Sequence, residues 1–286
     1  MSLNSKILFI SFLILLASPA AVYIYYKKSQ PVYVSPPPRE EINVTIIPGW
    51  NLRQIADDWV EKRIVKSQEE FFALVGKPSY NYKAAGEKAP VLSLADGEEW
   101  AALFSDKPGN VSYEGYLFPD TYRVYADAKP DDILQKIFEN LNKKITSEIR
   151  EEIKRHKKSF YEILVMASVV EKEAPTKSDM AKVADIFWRR YEQNWALQSC
   201  ATVNYITGKN DPGVTNDDKE IDSLFNTYMY PGLPLGAISN PGMDAIKAVV
   251  YPEKNSYWYF MSDGEGITHY AKTLDEHNAN VYKYLR

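Results

Sequence analysis

The chain has 286 residues, 45% of them hydrophobic and 25% charged, with a net charge of −4. These values belong to an ordinary globular chain with apolar mass for one large or two modest domains, and they show no basic excess that would point to nucleic acid. A single cysteine, Cys200, excludes an intrachain disulfide. The 21 tyrosines and 6 tryptophans are unusual. Aromatic faces stack on sugar rings but equally fill cores, so composition does not separate the two uses.

After a short tail at residues 1–6, residues 7–26 carry no charge and are long enough to span a bilayer. Ala17-Ser-Pro-Ala-Ala21 offers the small residues of a cleavage site. The apolar run continues past it to Tyr26, which favours an uncleaved anchor. Residues 27–40, with Pro36-Pro37-Pro38, read as a stiff extended spacer. Lys27, Lys28 and Arg39 outnumber Lys6, so loop charge alone argues against an exported body.

Residues 41–48 alternate like a short strand. Gly49-Trp-Asn51 makes a turn with Asn51 as helix cap, and Leu52, Ile55, Ala56 and Trp59 follow at helical spacing. Ser67 opens a second short helix through Phe71 and Leu74. The expected domains are this small module with a linker, residues 41–108, and a larger, mostly helical part, residues 109–286.

In the larger part, Asp131 to Asn142 is amphipathic and Thr146 to Lys157 is charged. The next helix is apolar nearly all round from Ile163 to Val170, which predicts a buried element. Ser178 is the expected cap of a helix carrying Met180, Val183, Phe187 and Trp188, with Arg189 and Arg190 outward. Pro241-Gly-Met-Asp244 starts another helix, Tyr257 to Met261 reads as a strand, and a last helix begins near Asp275.

The apolar helix delivers Glu171, Lys172 and Glu173 at its last turn, just before Pro175. Glu171 shares a face with Leu164, Ala167 and Ser168. Desolvation by that face and the negative helix end both favour a neutral carboxyl. Such a group can serve as a general acid near neutral pH. Charges at a helix end are more often simply solvated, so the helix alone does not assign a function.

Four further segments stand out: Tyr113-Glu-Gly-Tyr-Leu-Phe-Pro-Asp-Thr-Tyr122, Ala196-Leu-Gln-Ser-Cys-Ala-Thr-Val-Asn-Tyr205, the Pro/Gly-rich loop Phe225 to Gly242, and Glu276-His-Asn278. Amides and hydroxyls beside aromatic faces suit an extended sugar polymer. Taken singly, each is as well explained by turns and packing. His156, His269 and His277 are scattered and offer no ligand set, so neither metal nor cofactor is expected.

The ordered set Glu-Gly-Tyr-Leu-Phe-Pro-Asp-Thr-Tyr, Ala-Ser-Val-Val-Glu-Lys-Glu, Asn-Thr-Tyr…Gly-Leu-Pro and Glu-His-Asn resembles the endolytic murein transglycosylases of the MltG (YceG-like) family, from about residue 41 to the C-terminus. The resemblance implies an α+β fold: an N-terminal transmembrane helix, a small LysM-like ββαα-type module, then a lysozyme-like helical catalytic domain with a few strands. It implies Glu171 as the single catalytic residue and Glu114, Tyr116, Gln198, Asn226 and Tyr228 in or near a glycan cleft. It implies peptidoglycan glycan strands as substrate, a membrane-anchored body on the extracytoplasmic side, and association with peptidoglycan synthases. Cys200 and Ala201 stand where the family usually has an acid and a proline. Leu235 and Ala237 replace two loop prolines, and Phe225 a tyrosine.

The implied reaction cuts between N-acetylmuramic acid and N-acetylglucosamine and leaves a 1,6-anhydro end, with Glu171 as acid and then base. One rival is a hydrolytic muramidase with a second carboxylate, Glu114 or Asp120, and with Glu173 an outside candidate for the acid. The other is a peptidoglycan-binding scaffold without catalysis.

Overall fold

A computed structural model describes residues 38–92, 100, 102–209 and 213–285, together with Tyr23 and residues 26–28. Residues 41–286 form one compact unit and residues 1–40 another. The expected span at 7–26 and most of the 27–40 spacer lie outside the described residues. Among the described residues no helix is long and apolar enough to cross a membrane.

Strand β1 (Glu41–Thr45) leads through a turn into α1 (Leu52–Glu61) and α2 (Gln68–Val75). Asn51 caps α1 with a full capping box, its side chain accepting from Arg53 and Gln54 N–H. Ser67 caps α2. Leu52, Ile55, Ala56 and Trp59 are all fully buried, as their 3.6-residue spacing requires.

Strand β2 (Thr121–Tyr125), which the sequence reading passed over, pairs antiparallel with β1 from Glu41↔Tyr125 to Thr45↔Thr121. The resulting unit runs strand–helix–helix–strand, not the expected ββαα, because its second strand comes from beyond residue 108; a boundary there cuts across its sheet. Trp100, Phe104, Tyr113, Tyr116 and Phe138 meet in one aromatic cluster beneath it.

The helices α3 (Pro130–Lys144), α4 (Ser147–Arg155), α5 (Phe160–Glu173), α6 (Lys177–Glu192), α7 (Cys200–Thr207), α8 (Asn216–Lys219) and α9 (Met243–Val250) follow. Strands β3 (Tyr259–Ser262) and β4 (Thr268–Ala271) form a second antiparallel pair, and α10 (Leu274–Tyr284) ends the chain. Thr176, not Ser178, caps α6: its hydroxyl accepts from Asp179 N–H. Arg190 is also not outward but 5% exposed. Its guanidinium donates to Leu197 O and Trp258 O and lies against the Trp195 and Tyr259 rings, so the charge is enclosed but satisfied.

Helix α5 is the axis of the larger part, packed against α6 and α9 with α4 and α7 alongside. Ser159 and Glu162 form a capping box at its start. All eight residues from Ile163 to Val170 are buried, each large aliphatic side chain contributing about 1.5–3 kcal/mol. Pro175 forces Ala174 into extended backbone (φ −118°, ψ 124°) and stops the helix after Glu173.

Candidate active site

Because α5 is buried up to Val170, its last turn emerges at the edge of the core, where Glu171 is half-buried. The predicted face holds: Leu164, Ala167 and Ser168 are 1%, 0% and 0% exposed. Two loops close over the carboxyl. From one, Gly242 donates its N–H to Glu171 Oε2 at 2.9 Å. From the other, Gly49 packs so near that a Cβ there would lie 3.5 Å from Glu171 Cγ and 3.7 Å from Lys172 Cδ. Pro48 lies close to Gly242: a Cβ added at Gly242 would sit 3.3 Å from Pro48 Cβ.

Burial raises the Glu171 carboxyl above the ordinary carboxylate range. The Gly242 N–H draws it back, the Asp244 charge adds to the rise, and Lys172 opposes it. Gly242 is also the N-cap of α9. Glu171 thus ends one helix and faces the amide end of another, so the acid form is favoured by burial while the anion has a donor waiting.

Beside this seat runs a cleft of about 460 Å³ lined by Asn51, Arg53, Gln54, Lys172, Glu173 and Cys200, among others. Its walls are mixed in charge and rich in amides. Glu171 is not among its lining residues. It is followed in the chain by the lining residues Lys172 and Glu173, and Lys172 Nζ reaches Gly49 O at 3.5 Å.

The other expected site residues separate into two groups. Gln198 is exposed with φ 57°, and its N–H donates to Thr227 O at 3.0 Å. Tyr228 is half-buried, its hydroxyl 3.0 Å from Cys200 Sγ. These two share a corner with Glu173, whose carboxyl takes hydrogen bonds from the Ser199 hydroxyl and Ala201 N–H, lies near Arg190, and is raised by burial. Glu173 thereby caps the start of α7.

Glu114, Tyr116 and Asn226 lie beneath the surface, with 3%, 0% and 0% exposure. Asn226 clamps its own loop through Lys219 O, Ile221 O and Tyr228 N–H. Tyr116 sits in the aromatic cluster. Both oxygens of Glu114 are engaged, Oε1 by Asn240 Nδ2 (2.8 Å) and Oε2 by Leu52 N–H and the Tyr205 hydroxyl (3.0 Å each). Burial nonetheless pushes Glu114 up to about 8. All three are buried, and only Glu114 touches a residue that lines the cleft, through the Tyr205 hydroxyl.

Asp120 is held by Asn140, Thr121 N–H and Lys144 just before the start of β2. Among the described residues no group of histidines, cysteines and acids is arranged to hold a metal ion. The sequence reading missed Gly49, Asn240, Gly242 and Asp244. The one available signal was the Pro241-Gly242-Met-Asp244 run, legible as a helix start but not as a partner of Glu171.

Residues 27–283 match the model of the YceG-like family. The chain belongs to the YceG-like family. A relative from Bacillus subtilis (strain 168), described as an endolytic murein transglycosylase, is 39% identical over 173 residues, 60% of this chain and 48% of the relative. A protein of the same description from Streptococcus pneumoniae serotype 2 (strain D39) is 28% identical over 263 residues, 87% of this chain and 46% of its own length. The chain therefore spans about half the length of these family members. The crystal structure of a yceG-like protein from Listeria monocytogenes superposes with a TM-score of 0.67 at 30% identity, covering 83% of this chain and 74% of the other. The mixed helix-and-sheet fold is thus that of the family.

Proposed function

We propose that this chain is an endolytic peptidoglycan transglycosylase in which Glu171 acts first as general acid and then as general base. The observation that carries the reading is the Glu171 seat: a half-buried carboxyl at the end of a core helix, raised by burial and held at one oxygen by Gly242 N–H. The names of the family relatives supply the substrate class, peptidoglycan.

With Oε2 fixed by the amide, Oε1 carries the proton. Protonated Glu171 gives it to the oxygen between N-acetylmuramic acid and N-acetylglucosamine, and that bond breaks through an oxocarbenium-like state. The carboxylate, now stabilised by Gly242 N–H, takes the proton of the muramic 6-hydroxyl. That oxygen closes on the anomeric carbon, giving a 1,6-anhydro end without water. One carboxyl serves because its two roles are sequential.

The hydrolytic alternative needs a second carboxylate able to activate water. Of its two candidates, Glu114 is buried with both oxygens engaged, and Asp120 is held by Asn140, Thr121 N–H and Lys144. Glu173, the outside candidate for the acid, is turned to Ser199 and Ala201. These facts favour the single-carboxylate route. Further elements of the reading rest on sequence: the run at 7–26 as membrane anchor, the 27–40 spacer, an extracytoplasmic body, and synthase partners. The β1-α1-α2-β2 unit serves in it as the LysM-like module.

Digestion of peptidoglycan in ¹⁸O-water tests the chemistry. Transglycosylation predicts new muramic ends without label. Labelled reducing ends would mean hydrolysis and refute the proposal.

A further inference from the structure

Three segments distant in sequence meet around the Glu171 seat: residues 48–52, 113–117 and 238–242. One side chain ties them together. Asn240 is 0% exposed. Its Oδ1 accepts from Gly115 N–H and Leu117 N–H, both at 2.9 Å. Its Nδ2 donates to Trp50 O at 3.0 Å and to Glu114 Oε1 at 2.8 Å. Two amides on one atom and a carbonyl on the other leave only one orientation for the side chain. The backbone joins in, with Asn240 N–H donating to Trp50 O at 2.7 Å and Gly49 N–H donating to Asn240 O at 2.9 Å.

Both loops that enclose Glu171 are therefore held by this residue. Gly49, against the carboxylate stem, bonds to its backbone. Gly242, whose amide meets Oε2, follows two residues later, and Pro241 stiffens the link. No other side-chain type fills all four contacts. Aspartate keeps the two acceptor bonds but puts a carboxylate against Trp50 O and Glu114. Alanine strands two buried N–H groups.

We propose that Asn240 is the positioning residue for the Glu171 carboxyl: its saturated amide holds the loop that presents Gly242 N–H to Glu171 Oε2, and Glu114 holds Asn240. This rests on Glu171 being the acid and base, and it assigns Asn240 and Glu114 a role in catalysis although neither reaches the substrate. The complementary swap follows from the geometry. In a Glu114→Gln, Asn240→Asp double variant, the new glutamine amide donates to the new carboxylate. Gly115 and Leu117 keep their acceptor, and Leu52 and Tyr205 keep theirs.

The test uses the full chain with uncross-linked peptidoglycan glycan strands as substrate. The variants are Asn240→Asp, the double swap and Glu171→Gln, each measured for kcat, KM, pH profile and Tm. Asn240→Asp is expected to lower kcat about 10–100-fold, as for a reacting group displaced by about 1 Å, with KM within about threefold of the parent. Loss of the Gly242 donor disfavours the ionised carboxyl, so the alkaline limb of kcat/KM moves up by about one pH unit. The double swap repairs the Glu114 contact but leaves a carboxylate against Trp50 O, so it recovers both in part.

A folded Asn240→Asp with unchanged kcat and limb overturns the inference. So does a kcat loss that merely follows Tm and leaves the limb in place. Should Asn240→Asp fail to fold, Gly242→Ala disturbs the same seat locally. Its φ of −74° accepts a side chain, whose Cβ would lie 3.3 Å from Pro48 Cβ and 3.5 Å from Glu171 Oε2. An unmoved limb there overturns the proposal equally. A fully active Glu171→Gln would sink the catalytic reading itself, whereas an inactive one beside unaffected Asn240 and Gly242 variants sinks this inference alone.

Discussion

Glu114 makes stability depend on pH in a direction opposite to that of most carboxylates. It is 3% exposed, and burial raises it from 4.5 to about 8 in the folded chain despite three hydrogen-bond donors and the nearby Arg53 charge. Between those two values the native state holds a proton that the unfolded state has released. Stability is therefore fully present below about 4.5 and declines as pH rises to about 8. At about 1.4 kcal/mol per pH unit, the decline across that window is about 5 kcal/mol.

Glu114→Gln removes this titration but sets a glutamine amide against Asn240 Nδ2, since Asn240 Oδ1 is committed to Gly115 and Leu117. That conflict costs about 1–3 kcal/mol at every pH. The variant is thus expected to be less stable than the parent at about pH 4.5 and more stable at about pH 8.5. Glu171 and Glu173, also raised by burial, are present in both proteins and cancel in the difference. Urea unfolding at constant ionic strength across that range measures it. A stability difference that does not change with pH would refute the reasoning and mean that Glu114 is ionised throughout, held by its donors.

Other substitutions probe the same architecture. Gly115 has φ 89°, and a Cβ there would lie 2.7 Å from Ala237 Cβ, so Gly115→Ala is expected to cost about 2–5 kcal/mol in urea unfolding from strain and overlap together. Ser168 donates to Val165 O at 2.7 Å and accepts from Ile238 N–H at 3.0 Å. Ser168→Ala strands that amide and is expected to cost about 1–3 kcal/mol in the same assay. Gly49→Ala, at φ 81° and against the Glu171 stem, is expected to cost about 1–2 kcal/mol and to lower kcat on glycan strands more than it raises KM.

The parts of the fold legible in the sequence are the locally determined ones. Asn51 and Ser67 cap the helices they were expected to cap, because a cap bonds to amides two or three residues away. Helix α5 was legible because an unbroken apolar run has only the core to occupy. Strand β2 was not, since five alternating residues gain their identity from a partner 76 positions earlier, as Thr45 and Thr121 show. Arg190 was read as exposed because periodicity cannot reveal an aromatic enclosure assembled from Trp195 and Tyr259. At the site, the raised carboxyl of Glu171 was readable from its own helix. Glu114 and Asn226 were expected in or near a glycan cleft because polar groups that hold loops together have the same composition as those that hold sugars, and Tyr116 because aromatics that fill cores look like those that stack on sugars. Asn240 escaped notice because its meaning lies entirely in four partners from other segments.

The central claim, that Glu171 alone supplies the acid and the base, is tested most directly by mass spectrometry of peptidoglycan digested with the parent protein and with Glu171→Gln. The two are matched for Tm and for binding to sacculi. The account predicts 1,6-anhydro-muramic ends from the parent and none from the variant. Cleavage by the variant, or reducing ends from the parent, would contradict it.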